Sequence, residues 1–174
     1  MSEKNFFELI ATRHSVRSFK DNLIPEDKIR EILDASTRAP SAGNLQSYQI
    51  VITTNKFEKE KLVESAHGQQ YILEAPLVMI FCADSKRCAK EYGERGEDLF
   101  CIQDATIACA YSQIAAHNLG FSSVWIGSFD EIQVSETLHL EKNLKPIAIL
   151  PIGVANEIPE VTSRRPLEEI IRKI

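Results

Sequence analysis

The sequence predicts a layered α/β fold, and three observations point there. Ala75–Asp84, APLVMIFCAD, is almost continuously apolar, the pattern of a strand covered on both faces. Tyr48–Thr54, YQIVITT, has the β-branched density of a second strand. Around these run segments whose apolar residues recur at helical spacing. The chain has 174 residues, a length that a single core serves comfortably, so residues 1–174 are expected to form one domain.

The elements follow in order. Asn5–Thr12 reads as a short helix with Phe6, Leu9 and Ile10 on one face. Pro25-Glu26-Asp27 starts a second: proline suits a first turn, and two acids sit at the positive end of the helix dipole. That helix should stop before Pro40, because proline disfavours helical geometry in the residue preceding it. Ala39–Ser47, rich in small residues and amides, is a loop leading into the strand at Tyr48. Lys56–Ala66 is a charged surface helix, and Asp84–Glu97 a brief charged connection. Glu97–Leu119 is the longest helix, with Gly120 placed to cap it. Small residues around much of its girth imply close packing against another helix or a partner chain. Phe121–Gly127 is a third strand, Asp130–Leu140 a short helix, and Pro146–Ala155 a fourth strand broken by Pro151. Arg164-Arg165-Pro166 leads into a final helix from Leu167.

Composition removes several classes of function. The net charge is −5, so neither nucleic acid nor an anionic membrane is an expected partner. Cys82, Cys88, Cys101 and Cys109 lack CxxC pairing and have largely apolar neighbours, the usage of reduced, buried thiols. The sequence carries no leader pattern and no apolar run long enough to span a bilayer, so a cytoplasmic protein is expected.

Against this acidic background, RHSVRSF (Arg13–Phe19) gathers Arg13, His14, Ser15 and Arg17 in one short run. Arginine forks and a serine hydroxyl match a phosphate, although a solvated loop would use the same residues. Arg164 and Arg165 form a second cationic pair, also readable as surface charge. No GxxxxGK[ST] or GxGxxG occurs, so a P-loop or dinucleotide-binding turn is not expected. His14, His67, His117 and His139 are scattered without metal-ligand spacing, and no GxSxG serine is present. A chain lacking an evident nucleophile or metal, but holding anion-binding candidates at both ends, suits chemistry supplied by a phosphorylated cofactor.

The ordered set of motifs resembles the nitroreductase family of flavin mononucleotide (FMN) enzymes. It comprises Arg13–Phe19, Ala39-Pro40-Ser41-Ala42-Gly43-Asn44-Leu45-Gln46, Ala75-Pro76 before a strand, Trp125-Ile126-Gly127-Ser128-Phe129-Asp130, Leu150-Pro151-Ile152-Gly153 and Arg164-Arg165-Pro166-Leu167. The resemblance narrows the fold class to α+β, an α/β sandwich whose mixed, mainly antiparallel sheet is flanked by helices in an intertwined homodimer. It implies FMN at the dimer interface, with Arg13 and Ser15 on the phosphate and ribityl chain and Arg17 near the pyrimidine end of the ring. His14 would make a structural or backbone contact. Pro40, Ser41 and Asn44 would arrive from the partner, with Gln46 in the same loop. Gln69 or Gln70 would set an amide against the ring, and Ile126-Gly127 would bring a backbone N–H near the flavin N5. Arg164 and Arg165 would return to the phosphate. The implied activity is reduction of nitroaromatics, quinones or similar flat acceptors by NADH or NADPH, in ping-pong fashion, with no side chain as nucleophile and no metal. The alternatives are an FMN-dependent dehydrogenase or reductase for one dedicated metabolite and a non-catalytic flavin-binding protein. The short Asp84–Glu97 stretch implies a reduced lid over the acceptor.

Overall fold

A computed structural model describes residues 5–174; residues 1–4, part of the segment read above for a leader, lie outside the described residues. Helix α1 (Phe6–Thr12) opens on a reciprocal cap: Asn5 accepts from the Glu8 N–H, and Glu8 accepts from the Asn5 N–H. Strand β1 (Phe19–Lys20) and helix α2 (Glu26–Thr37) follow. Then come β2 (Tyr48–Thr53), α3 (Lys56–Ser65), the single turn α4 (Tyr71–Glu74) and β3 (Leu77–Asp84). The second half contains α5 (Ser85–Arg95), α6 (Cys101–Asn118), β4 (Ser122–Ser123), α7 (Glu131–Thr137) and β5 (Leu144–Ala155).

The strands form one sheet in the order β1-β5-β3-β2, with β4 also paired to β5. These ladders are antiparallel, and one parallel bridge joins Ser15 to Ser123. The mixed, mainly antiparallel α+β architecture is therefore as expected. Strand period explains why β3 reads as unbroken hydrophobicity. Val78, Ile80 and Cys82 join a cluster with Leu62, Ile72 and Val134 from α3, α4 and α7. Leu77, Met79 and Phe81 join the opposite cluster with Ile32 of α2 and with Ala108 and Cys109 of α6. Both faces are covered, and all of these β3 side chains are essentially inaccessible to solvent.

Several boundaries differ from expectation for identifiable reasons. Asp84–Glu97 holds an eleven-residue helix, α5, capped by the Asp84 carboxylate on the Arg87 N–H. Only Cys88 among its residues is buried, and the density of charge made the segment read as a connection. The π-helical turn Gly96–Phe100 then replaces the predicted first turn of the long helix, which begins at Cys101. The third strand shrinks to Ser122–Ser123 and a single bridge from Ile126 to Ile149. Conversely, β5 runs through Pro151 without a break. Proline lacks an N–H to donate, and β4 pairing lapses between Ser123 and Ile126, so this position tolerates the loss. The final helix is only the 3-10 turn Leu167–Glu169. Strand β1 and turn α4 are too short for periodicity to register.

Gly153 locks the opening run onto the sheet. A Cβ there would lie 2.7 Å from Pro76 Cδ and 3.0 Å from Phe19 Cδ1, so glycine is what lets Phe19 seat. Gly153→Ala is expected to destabilise the chain by about 1–3 kcal/mol, the usual cost of overpacking. A denaturant midpoint unchanged from wild type would show that the Phe19 seat is soft.

Candidate functional site

Both ends of the chain meet in one cavity of about 530 Å³. Arg13, His14, Ser15 and Arg17 line it from the loop between α1 and β1, and Glu157, Glu160, Thr162 and Arg164 from the segment after β5. The sheet fixes this meeting. Ser15 bridges to Ser123, the Val16 N–H donates to the Ser123 carbonyl at 3.2 Å, and Asn156 N–H donates to the Ser18 carbonyl at 2.9 Å. The Arg17 N–H donates to the Glu157 carboxylate.

Three arginines and two glutamates, Glu157 and Glu160, share the lining of this cavity. Among the described residues, none of Arg13, Arg17 and Arg164 is in a salt bridge. Burial and then the neighbouring Arg164 push the Arg13 guanidinium below its ordinary value. Glu157 and Glu160 also line the cavity but form no ion pair with either arginine, and a bound phosphate or carboxylate would relieve the repulsion between the two cations. Arg165 is engaged elsewhere, with its Nε 3.2 Å from Glu169 Oε2 and its Nη2 3.0 Å from the Glu169 carbonyl. It does not line the cavity.

The glutamine pair also separates. Gln69 Nε2 donates to the carbonyls of Ala66 at 2.9 Å and Ser128 at 3.1 Å, and its Oε1 accepts from the Tyr71 hydroxyl. Gln70 is exposed at the start of α4, and among the described residues its amide has no hydrogen-bond partner. Ile126 is buried and exchanges two backbone hydrogen bonds with Ile149, of 2.9 and 3.0 Å. This pins the exposed Gly127 at the sheet margin. A Cβ on Gly127 would meet only the Trp125 indole, at an ordinary 3.4 Å, so the chain's own packing does not demand glycine there.

Pro40, Ser41, Asn44 and Gln46 form a separate constellation. Asn44 and Gln46 both hold positive φ, at 58° and 51°. Ser41 Oγ accepts from the Gln46 N–H at 3.0 Å, and Gln46 Nε2 donates to the Asn44 carbonyl at 3.0 Å. Sequence reasoning passed over the residues that shape this loop. Asp104 on α6 accepts from Ala42 and Ser47, Arg87 Nε on α5 donates to the Leu45 carbonyl at 2.6 Å, and the Tyr92 hydroxyl crowds Gly43. Nothing marked Asp104 in the sequence, where it is one acid in a small-residue helix.

Loop and cavity stand far apart within one chain. Ser15 adjoins Ser123, opposite Ile152 on β5; Tyr48, which ends the loop, pairs with Ala83, opposite Lys145 on the same strand. Crossing β4, β5 and β3 to β2, and stepping from Ile152 to Lys145, gives a separation on the order of 30 Å at ordinary strand spacing and rise. No ligand of mononucleotide size spans that gap.

The nitroreductase family profile matches residues 10–154, a stretch that holds the opening run, the Pro40–Gln46 loop and Gly127. The chain belongs to the nitroreductase family. It is 30% identical to an FMN reductase (NAD(P)H) of Bacillus subtilis, over 92% of this chain and 70% of that protein. It is 27% identical to an NADH dehydrogenase of Thermus thermophilus, over 91% of each. Among solved structures, the NADPH:FMN oxidoreductase of Vibrio harveyi, complexed with NAD+, superposes with a TM-score of 0.90 at 26% identity, covering 98% of this chain and 77% of that one. As a nitroreductase-family member the chain is an oxidoreductase. The profile match ends before Arg164, which lines the cavity from the segment after β5.

Proposed function

We propose that this nitroreductase-family chain is an FMN-dependent NAD(P)H oxidoreductase acting on nitroaromatics, quinones or similar flat conjugated acceptors. The observation that carries the reading is the cavity where Arg13, Arg17 and Arg164 converge without ion-pair partners. Arg13 and Arg164 would hold the phosphate, and Ser15 would add a hydroxyl toward the ribityl chain. Arg17 would set positive charge beside the pyrimidine end of the ring and so favour the reduced, anionic form. His14 would shape the wall, and the free amide of Gln70, rather than that of Gln69, would face the ring. The Gly127 N–H would point at N5. FMN, when bound, would supply hydride acceptance from NADH or NADPH and its later delivery to the acceptor. The chain's residues bind, orient and exclude water; none needs to act as a nucleophile, and no metal enters the scheme.

The same reading makes the working unit a homodimer. The roughly 30 Å between cavity and loop supports delivery of Pro40, Ser41, Asn44 and Gln46 from a partner subunit. An apolar groove of about 490 Å³, lined by Phe6, Leu9, Ala35, Tyr111, Ile114 and Ala115 on α1, α2 and α6, would seat that partner. The exposed apolar residues of the final segment, Ile158 at 98% and Val161 at 76% among them, suit a tail that wraps a second chain. Among the described residues no helix is long and apolar enough to cross a membrane. The four cysteines are free and buried, and burial pushes the Cys82 thiol up to about 12. Reduced thiols of this kind favour the cytoplasm.

The purified protein is expected to be yellow, to bleach on adding NADH or NADPH, and to recover colour when a quinone or nitroaromatic is added. Donor and acceptor varied together should give the parallel double-reciprocal lines of ping-pong turnover. A protein that binds flavin but is bleached by neither nicotinamide is a carrier or sensor. One that refuses FMN ends the proposal.

A further inference from the structure

We infer that Asp104 is a positioning residue: it holds the Ser41–Ser47 loop in the shape that completes the flavin site of the partner subunit. This rests on the FMN reading above. Asp104 is 2% exposed on the first turn of α6 and divides its carboxylate between the two ends of the loop. Oδ1 accepts from the Ala42 N–H at 2.9 Å, and Oδ2 accepts from the Ser47 N–H at 3.2 Å. Between these anchors the backbone passes through positive φ at Gly43, Asn44 and Gln46. Two of those three are not glycine, so the conformation persists only where the surroundings over-determine it.

The other restraints are weaker. Ser41 Oγ accepts from Gln46 within the loop itself, and Arg87 reaches the Leu45 carbonyl from an exposed position. The Asp84 N–H also donates to the Ser47 carbonyl at 2.9 Å, and Leu45 packs against a buried cluster. Asp104, however, is the side chain that clamps both ends of the loop to the core, since α6 packs on α2 and on both central strands. A buried carboxylate with backbone N–H donors on both oxygens is a stiff mount. The mount matters to the loop's occupant and not only to the fold, because Pro40 and Asn44 are exposed at the loop surface and Ser41 is partly so.

The roughly 30 Å between loop and arginine cavity means that Asp104 acts in trans while Arg13 acts in cis. A mixed dimer tests this. One differently tagged chain carries Asp104→Ala and the other Arg13→Ala. Each variant homodimer is expected to bind FMN at least 10-fold more weakly than wild type. In the mixed dimer both defects fall on one site and the other is intact, so one FMN per dimer should bind with wild-type affinity. Two weakened sites in the mixed dimer would overturn the inference, placing Asp104 in its own chain's site or in general stability. If Asp104→Ala does not fold, Asp104→Asn serves, since its amide oxygen keeps one of the two N–H donors. It should show weaker FMN binding and faster hydrogen exchange at Ala42 or Ser47, and unchanged values for both would also overturn the inference. Wild-type protein that takes up no FMN would instead break the underlying reading, and the role of Asp104 with it.

Discussion

Replacing Arg13 with alanine is expected to weaken FMN retention by about 10- to 150-fold, the equivalent of one charge-assisted hydrogen bond worth roughly 1.5–3 kcal/mol. Arg13 is half-buried, and its guanidinium shares the cavity with Arg164 and no compensating ion pair. The wild-type cavity thus holds two neighbouring cations, unpaired with Glu157 or Glu160, that a bound phosphate would reconcile. Alanine removes one of the pair, so the apo chain loses a repulsion while the loaded chain loses a partner. The signature is therefore uneven: flavin affinity falls sharply, and the apo unfolding midpoint holds or rises. Arg165→Ala makes the contrast. That side chain is engaged with Glu169 outside the cavity, and its loss should leave flavin affinity within about twofold, as for most surface substitutions. Fluorescence titration of apo protein with FMN measures both. Equal losses at the two arginines, or none at Arg13, would mean that the phosphate is held elsewhere.

What the sequence disclosed and what it hid follow from the physics of each element. β3 was legible because burial on both faces leaves a continuous apolar run, and α2 because Pro25, Glu26 and Asp27 announce its first turn. Helix α5 was hidden because it is dominated by charged residues and buries only Cys88, so its helical pattern passed for a solvated connection. The site divided along the same line. Arg13, Ser15 and Arg17 lie within five residues and are visible as a cluster, and the ordered motifs pointed to the pair Arg164-Arg165 near the other end of the chain. Arg164 lines the cavity while Arg165 bonds Glu169, and Gln69 bonds Ser128 across the fold while the Gln70 amide is left exposed, contacts that residue type does not record. Asp104 was invisible for a related reason. Its partners are backbone N–H groups, which leave no mark on residue type.

Ile114→Glu should yield a folded chain that is monomeric and cannot retain FMN, the largest single effect expected on this protein. Ile114 lies in the groove with Phe6, Leu9, Tyr111 and Ala115, on the outer side of α6 and away from the core residues Ala105, Ala108 and Cys109. In the isolated chain it is only half-buried, and Phe6 beside it is 60% exposed, so the substitution removes little internal packing. Across a dimer interface the same glutamate would be an unpaired buried charge, at a cost of several kcal/mol per site, and the two-fold arrangement imposes it twice. Dissociation would then separate each arginine cavity from the loop that its partner would supply. The outcome couples two measurements that would otherwise be independent, mass by light scattering and flavin content by absorbance. A monomer with native circular dichroism and no bound flavin supports a site shared between chains. A yellow monomer would place every FMN contact within one chain, and the roughly 30 Å between Ser15 and the Tyr48 end of the loop would then exclude Ser41 and Asn44 from the site.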